Sequence, residues 1–288
     1  MASFYCLTFL TDYGLEDGFV AACHGVSSQI APNARIIDIT HLVPPGDIRR
    51  GAAVLAQTVP YFPPAVHVAV VDPGVGTPRR AIAVAAGGSI FVGPDNGLLS
   101  WTVSAAGGAV TAVSLTNTAL WLDAVTPTFH GRDIFMPVAA HLAAGTPLAA
   151  AGVEVDPASL VALPPPVSRV RDGGVDTEVV TVDRFGNAQL SLTGQDAAGA
   201  GVLPGVAIEL EYGGHRVTVP FRTTFGDVAP GELVGYIDSA GFVSIAVNGG
   251  AAAPRLELRS GTPVTLSVTE LFSGPRFRFR RPRDTIVD

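Results

Sequence analysis

Apolar positions along this chain fall into two regimes. Over residues 1–165, short apolar runs alternate with helical spacing. Residues 4–10, 35–39, 66–71, 81–85, 89–92 and 110–115 read as strands. Between them, Phe19, Cys23, Val26 and Ile30 recur at helical intervals, with Asp17 as the expected N-cap and Pro32 as the stop. Ile48, Ala52, Leu55 and Val59 repeat the pattern behind Asp47, closed by Pro60. A third helix is expected behind Asp133 as candidate cap, starting a few residues late because of Pro137 and ending at Gly145 as the C′ residue. Strands alternating with helices predict an α/β domain with a central, mostly parallel sheet.

The pattern changes after a Pro-rich stretch, Pro164-Pro165-Pro166, and the turn Arg171-Asp172-Gly173-Gly174. Beyond it, β-rich runs recur at 178–182, 188–192, 207–210, 215–220, 233–237, 243–247 and 262–269, with no helical pattern between them. The expected organisation is an α/β domain over 1–165, a linker over 166–175 and a smaller all-β, barrel-like domain over 176–288.

Composition narrows the function classes. Of 288 residues, 48% are hydrophobic and 15% charged, which supports a large core and argues against disorder. A net charge of −7 without a long basic run argues against nucleic acid as partner. The exception is a tail with Arg276, Arg278, Arg280, Arg281 and Arg283 alternating with Phe277, Phe279 and Pro282, which reads as an edge strand or a subunit contact. Cys6 and Cys23 sit in apolar segments and read as small core residues. The start lacks a basic leader and no apolar run reaches spanning length, so a cytoplasmic setting without a membrane segment is expected. The chain carries no GxGxxG after a strand, P-loop, HExxH, paired CxxC or GxSxG, so no metal or cofactor is expected.

Candidate chemistry therefore sits in loops. The run VHVAVVDPGVGTPRR over residues 66–80 ends a buried strand at Asp72-Pro73-Gly74. Ligands bind at the carboxyl ends of strands in α/β sheets, which displays Asp72 and Arg79 at a crevice. Asp before Pro-Gly is equally ordinary turn punctuation. The first βα loop gathers Asp12, Glu16 and Asp17, a set suited to hydroxyls and an amine or simply to capping and solvation. His130 lies in a loop ahead of a helix and is the histidine with the most site-like setting. In the second half, Asp183-Arg184-Phe185-Gly186-Asn187, the loop around Phe225, Asp238-Ser239-Ala240-Gly241-Phe242 and Asn248-Gly249 read either as polar clusters or as plain hairpin turns.

FLTDYG at 9–14, VVDPGVGTPRR at 70–80, GPDNGLL at 93–99, FHGRD at 129–133, DRFGN at 183–187 and DSAGF at 238–242 together resemble the S-adenosyl-L-methionine hydroxide adenosyltransferases, relatives of fluorinating and chlorinating enzymes. The resemblance implies an α/β domain followed by a β-barrel, and a homotrimer with active sites at subunit interfaces. It also implies hydrolysis of S-adenosyl-L-methionine to adenosine and methionine. Asp72, Arg79 and His130 would position and activate water. Asp12 would hold the ribose hydroxyls, and Asp17, Asp183 and Ser239 the methionine amine and carboxylate. Asn187 and the backbone at Asn248-Gly249 would read adenine, with Phe225 on its ring. The fluorinating relatives carry a Tyr at the position of Asp72. A carboxylate there repels a halide and accepts a hydrogen bond from water. Ala240 and Gly46 stand where those relatives have an arginine and a Trp. The rival readings are a halide-using enzyme and a non-catalytic module that binds S-adenosylmethionine or adenosine.

Overall fold

A computed structural model describes residues 4–269. The chain divides into two compact units, Met1–Pro165 and Pro166–Asp288. The Arg-rich tail at 276–283 lies outside the described residues.

The first unit contains β1 (Cys6–Thr11), α1 (Phe19–Ile30), β2 (Arg35–Thr40), α2 (Ile48–Thr58), β3 (Val66–Val70), β4 (Ala81–Ala86), β5 (Ser89–Pro94), α3 (Ser100–Ala105), β6 (Thr111–Ser114), α4 (Met136–Ala143) and β7 (Val153–Val155). Its seven strands form one sheet in the order β2-β1-β3-β5-β4-β6-β7. The side from β2 to β5 is parallel, and the β5-β4, β4-β6 and β6-β7 pairs are antiparallel. The period-2 alternation of side chains decides the layers. Leu7, Phe9, Val66, Val68 and Val70 face one core with Cys23 of α1 and Val138 and Leu142 of α4. Leu10, Ala69, Val71 and Phe91 face the other, with Leu55 of α2 and Leu99 and Val103 beside or on α3.

Chain order reverses at β1: β2 lies on one side of it and β3 on the other. At such a reversal doubly wound sheets bind ligands at the carboxyl ends of the strands, here those of β1 and β3. Thr11 pairs with Val70, so Asp12 and Asp72 leave the sheet at neighbouring points.

Two local expectations are corrected. Gly18, not Asp17, precedes the first helical residue and makes no side-chain cap; Asp17 is exposed one position farther out. Asp47 does cap α2, accepting from Arg50 N–H. Asp133 is no cap for α4. It is fully buried inside a wide helical turn, Gly131–Phe135, in which Met136 N–H bonds back to Gly131 C=O. Pro137 sits within the first turn of α4. Gly145 follows the helix with a φ of 104°, as a C′ residue should.

The second unit contains β8 (Ser168–Arg171), β9 (Gly174–Val182), β10 (Ala188–Thr193), α5 (Gly194–Gly199), β11 (Ala207–Tyr212), β12 (His215–Pro220), β13 (Leu233–Ile237), β14 (Phe242–Val247), α6 (Ala252–Arg255) and β15 (Pro263–Thr269). The path runs β12-β11-β15-β9-β10-β14-β13, all antiparallel, with β8 beside β9. Its two ends nearly meet: Phe221, just past β12, bridges to Gly235 of β13, and Arg222 N–H donates to Gly235 C=O at 2.8 Å. The result is an almost closed barrel around Leu190, Leu192, Ile208, Phe221, Ile245 and Leu266. The short helices α5 and α6 correct the helix-free reading of this half.

Candidate active site

Asp72 leaves the sheet two residues past β3 and turns into Gly74 and Gly76. Gly76 adopts a φ of 77°, and a side chain there would meet the Pro127 carbonyl at 2.6 Å. Only glycine lets the Asp72–Arg80 loop pack against the loop carrying His130. Asn96 holds the neighbouring backbone: its Nδ2 donates to Val71 C=O at 2.9 Å and its Oδ1 accepts from Leu98 N–H at 3.1 Å. Asp95, paired with Arg80, accepts from Val161 N–H at 2.8 Å and so ties this wall to the end of the unit.

Within this frame three predicted residues meet. Arg79 Nε donates to both carboxylate oxygens of Asp72 at 3.0 Å, and its Nη2 donates to Asp72 Oδ2 as well. The same Nη2 lies 2.9 Å from His130 Nδ1. The side chains of Asp72 and Arg79 are 5% and 11% exposed, so the pair is largely withdrawn from water. Phe135 lies beneath the guanidinium, 5.1 Å from its ring centroid. Burial first, then the Arg79 charge, lowers the His130 pKa, against the pull of Asp72 and Asp133. His130 is therefore neutral at neutral pH. Arginine can only donate, so Nδ1 is the acceptor and the proton resides on Nε2.

Asp133 supports the histidine loop from below. It accepts from Thr126 N–H and Oγ1–H at 2.7 Å and from Arg132 Nε at 2.6 Å. Burial alone would raise its pKa; the hydrogen bonds from Arg132 and Thr126 overcome that and hold it below the ordinary value.

Tyr13 is the residue that sequence reasoning missed. Its ring packs edge-on against Phe9 and Phe129, and its hydroxyl fills the space a side chain at Gly131 would need, 1.9 Å from the Cβ position. Burial, then Cys23, Asp12 and Asp72, pushes the phenol well above its usual value, with Arg79 opposing. The signal was present in FLTDYG, but an aromatic after Asp in a loop reads as turn or core. Asp12 itself accepts from Gly46 N–H at 2.8 Å, and Gly46 adopts a φ of 73°. Asp17 is exposed in the loop before α1.

In the second unit the predicted residues form their own arrangement. Asp183 and Asn187 clasp each other across a turn: Asp183 Oδ1 accepts from Phe185 and Asn187 N–H at 2.9 Å, and Oδ2 from Asn187 Nδ2 at 2.8 Å. Asn248 Nδ2 donates to Val228 C=O at 2.8 Å, which ties the Asn248-Gly249 turn to the segment bearing Phe225. Phe225 meets Tyr236 at 4.7 Å between centroids. Burial, followed by Asp238 and Asp183, pushes the Tyr236 phenol up to about 12, so Tyr236 belongs with these carboxylates. Ser239 is exposed in a different turn, organised by Asp238, which accepts from Ala240, Phe242, Gln189 and Ser244.

A mixed α/β unit followed by a nearly closed β-barrel, with a carboxylate–guanidinium–imidazole chain at a strand terminus, defines the class. The model of the SAM hydroxide adenosyltransferase N-terminal domain matches residues 7–152, and that of the C-terminal domain residues 177–265. The chain belongs to this family. It is 58% identical over 262 residues to an (R)-S-adenosyl-L-methionine hydrolase of Salinispora arenicola, covering 91% of this chain and 97% of the relative. It is 43% identical to one from Thermus thermophilus, covering 90% and 98%. A fluorinase from Actinoplanes is more distant, at 29% over 91% and 97%. A crystal structure of an uncharacterized conserved protein from Thermotoga maritima superposes with a TM-score of 0.86 at 37% identity, covering 91% of this chain and 99% of that one.

Proposed function

We propose that this chain hydrolyses S-adenosyl-L-methionine to adenosine and L-methionine by in-line attack of water on ribose C5′. The observation that carries the reading is the buried Asp72 carboxylate, gripped by Arg79 at the end of β3. A halide beside it would face a negative charge, whereas a water would find an acceptor. The relatives named above as hydrolases support the same reaction.

The substrate's sulfonium is already a good leaving group. Water oxygen bonds to C5′ as the C5′–S bond breaks, and that electron pair passes to sulfur, leaving a neutral thioether. The water must lose its proton. His130 Nδ1 is occupied by Arg79, so Asp72 takes the proton and His130 presents Nε2–H to the water. Arg79 supplies fixed positive charge that favours hydroxide-like oxygen in the transition state. Asp12 holds the ribose hydroxyls. Asp17, Asp183 and Ser239 receive the methionine amine and carboxylate. Asn187 and the Asn248-Gly249 backbone read adenine, with Phe225 against its ring. The chemistry requires no further cofactor. The assembly is a homotrimer with active sites at subunit interfaces, which sedimentation of the purified protein tests.

The reaction is tested by following S-adenosylmethionine with the purified chain. Adenosine and methionine in equal amounts are expected, in chloride or fluoride as in their absence. A 5′-halo-5′-deoxyadenosine product would replace the hydrolase reading with the halogenase. Saturable binding without turnover would replace it with a binding module.

A further inference from the structure

We propose that His24, Asp38 and His41 form a binding site for a divalent transition-metal ion of the zinc type, separate from the Asp72–Arg79–His130 group. The three come from different elements. His24 lies on α1, Asp38 on β2, the edge strand of the first sheet, and His41 just past the end of β2. Their spacing in sequence matches no metal-binding pattern, which is why motif reading passes over them.

His24 Nε2 lies 2.8 Å and His41 Nε2 3.1 Å from the same oxygen, Asp38 Oδ1. One ligand atom from each residue lies within 4.8 Å of the others. Two ligands each about 2.1 Å from a metal and set at tetrahedral or octahedral angles stand about 3.0–3.4 Å apart. A small shift of the partly exposed His24 completes the triangle.

A second observation points the same way. The His41 side chain is 2% exposed, and its Nε2 makes no well-directed hydrogen bond despite its approach to Asp38. A buried imidazole nitrogen left without a hydrogen bond is costly as it stands. A cation held among the three satisfies all of them. The other ring nitrogen is already anchored: His41 Nδ1 lies 2.8 Å from Thr11 Oγ1, the kind of outer partner that fixes a metal-bound histidine. His24 and Asp38 side chains are 35% and 40% exposed, which leaves coordination positions open to water. Two imidazoles and one carboxylate suit zinc, cobalt or nickel better than magnesium or calcium.

The site would also brace the neighbouring loop. Thr11 Oγ1 accepts from Tyr13 N–H at 3.1 Å, and His41 C=O accepts from Gly14 N–H at 2.8 Å. A metal at His41 thus fixes both sides of the backbone that carries Asp12.

The test titrates the tag-free, chelator-stripped full chain with Zn²⁺ by calorimetry and with Co²⁺ by visible absorption. A single ion per chain is expected, with cobalt bands of nitrogen–oxygen coordination. Binding should weaken roughly tenfold or more in His24→Gln and in Asp38→Asn, both at partly exposed side chains, and stay unchanged in His130→Ala. Absence of saturable binding overturns the proposal. So does binding that survives both first-named substitutions, or binding lost with His130.

Discussion

At the scale of single residues, the candidate site is a question of which atom holds which proton. Arg79 engages both Asp72 oxygens and His130 Nδ1 at once, so it sets the tautomer of one neighbour and the orientation of the other. Asp72→Asn keeps the shape of the carboxylate but cannot accept the water's proton. Turnover should fall by about 10²–10⁴-fold. KM should stay within about tenfold, since the group acts on water and not on the substrate's body. Steady-state rates on the folded variant check this, and a wild-type rate would remove Asp72 from the chemistry. Gly131 offers a packing test of the same wall. Its Cβ position lies 1.9 Å from the Tyr13 hydroxyl oxygen and 3.0 Å from the ring carbon that bears it. Gly131→Ala should cost about 1–3 kcal/mol by overpacking. Tyr13→Phe in the same chain should return part of that loss, because only the nearer of the two contacts is removed. Urea midpoints of the four proteins in the cycle decide it, and equal losses with and without the hydroxyl would mean the two residues are not coupled.

At the scale of elements, the strand-end loop over 72–80 shows how much local sequence can carry. Gly76→Ala imposes an unfavourable φ of 77° on an alanine and drives its Cβ against Pro127 C=O. The expected cost is about 1–3 kcal/mol, with a fall in kcat as the His130 loop is displaced from Arg79. Thermal melts and rates together test this; a variant with unchanged stability and rate would show that the two loops do not depend on the glycine. The strands and the α1 and α2 helices were legible because each buries one continuous face, so period 2 or 3.6 is imprinted on its residues. Asp72 and Arg79 were legible because a buried strand must end at Pro-Gly. The wide turn at Gly131–Phe135 was not, since its reason is the burial of Asp133 beneath Thr126 and Arg132, a tertiary demand. Helices α5 and α6 span six and four residues, too short for a helical period to show. Asp17 looked like a cap because acids favour that position, yet Gly18 takes it. Asn96 is visible in the sequence only as part of GPDNGLL, and that its amide secures the backbone next to Asp72 follows from the fold.

At the scale of the whole molecule, several buried imidazoles make stability depend on pH. His67, the second residue of β3, is fully buried, stacks on Phe91 at 5.0 Å and bonds through Nδ1 to Thr8 Oγ1. Its Nε2 is buried without a hydrogen-bond partner among the described residues. Burial lowers its pKa from 6.5 to about 4. His41, His130 and His141 are lowered too, each chiefly by burial. A histidine whose folded value lies below its unfolded value binds its proton more readily once unfolded. Its share of stability is therefore complete above the unfolded value near 6.5 and is lost as pH falls toward the folded value. For His67 alone the loss approaches about 3 kcal/mol by the time pH reaches its folded value. Asp133 adds a lower window: its depressed carboxyl stabilises the fold above the ordinary value of 3.8, and that contribution disappears as pH falls through the folded value. Acid sensitivity should thus begin in the histidine range, before the carboxylates titrate. His67→Gln keeps a partner for Thr8 and removes the titration. Its urea midpoint should be lower than wild type at neutral pH yet fall less steeply between neutral pH and the His67 range. Parallel pH profiles for the two proteins would show that the proton enters elsewhere and that the β3 histidine does not govern the acid limb of stability.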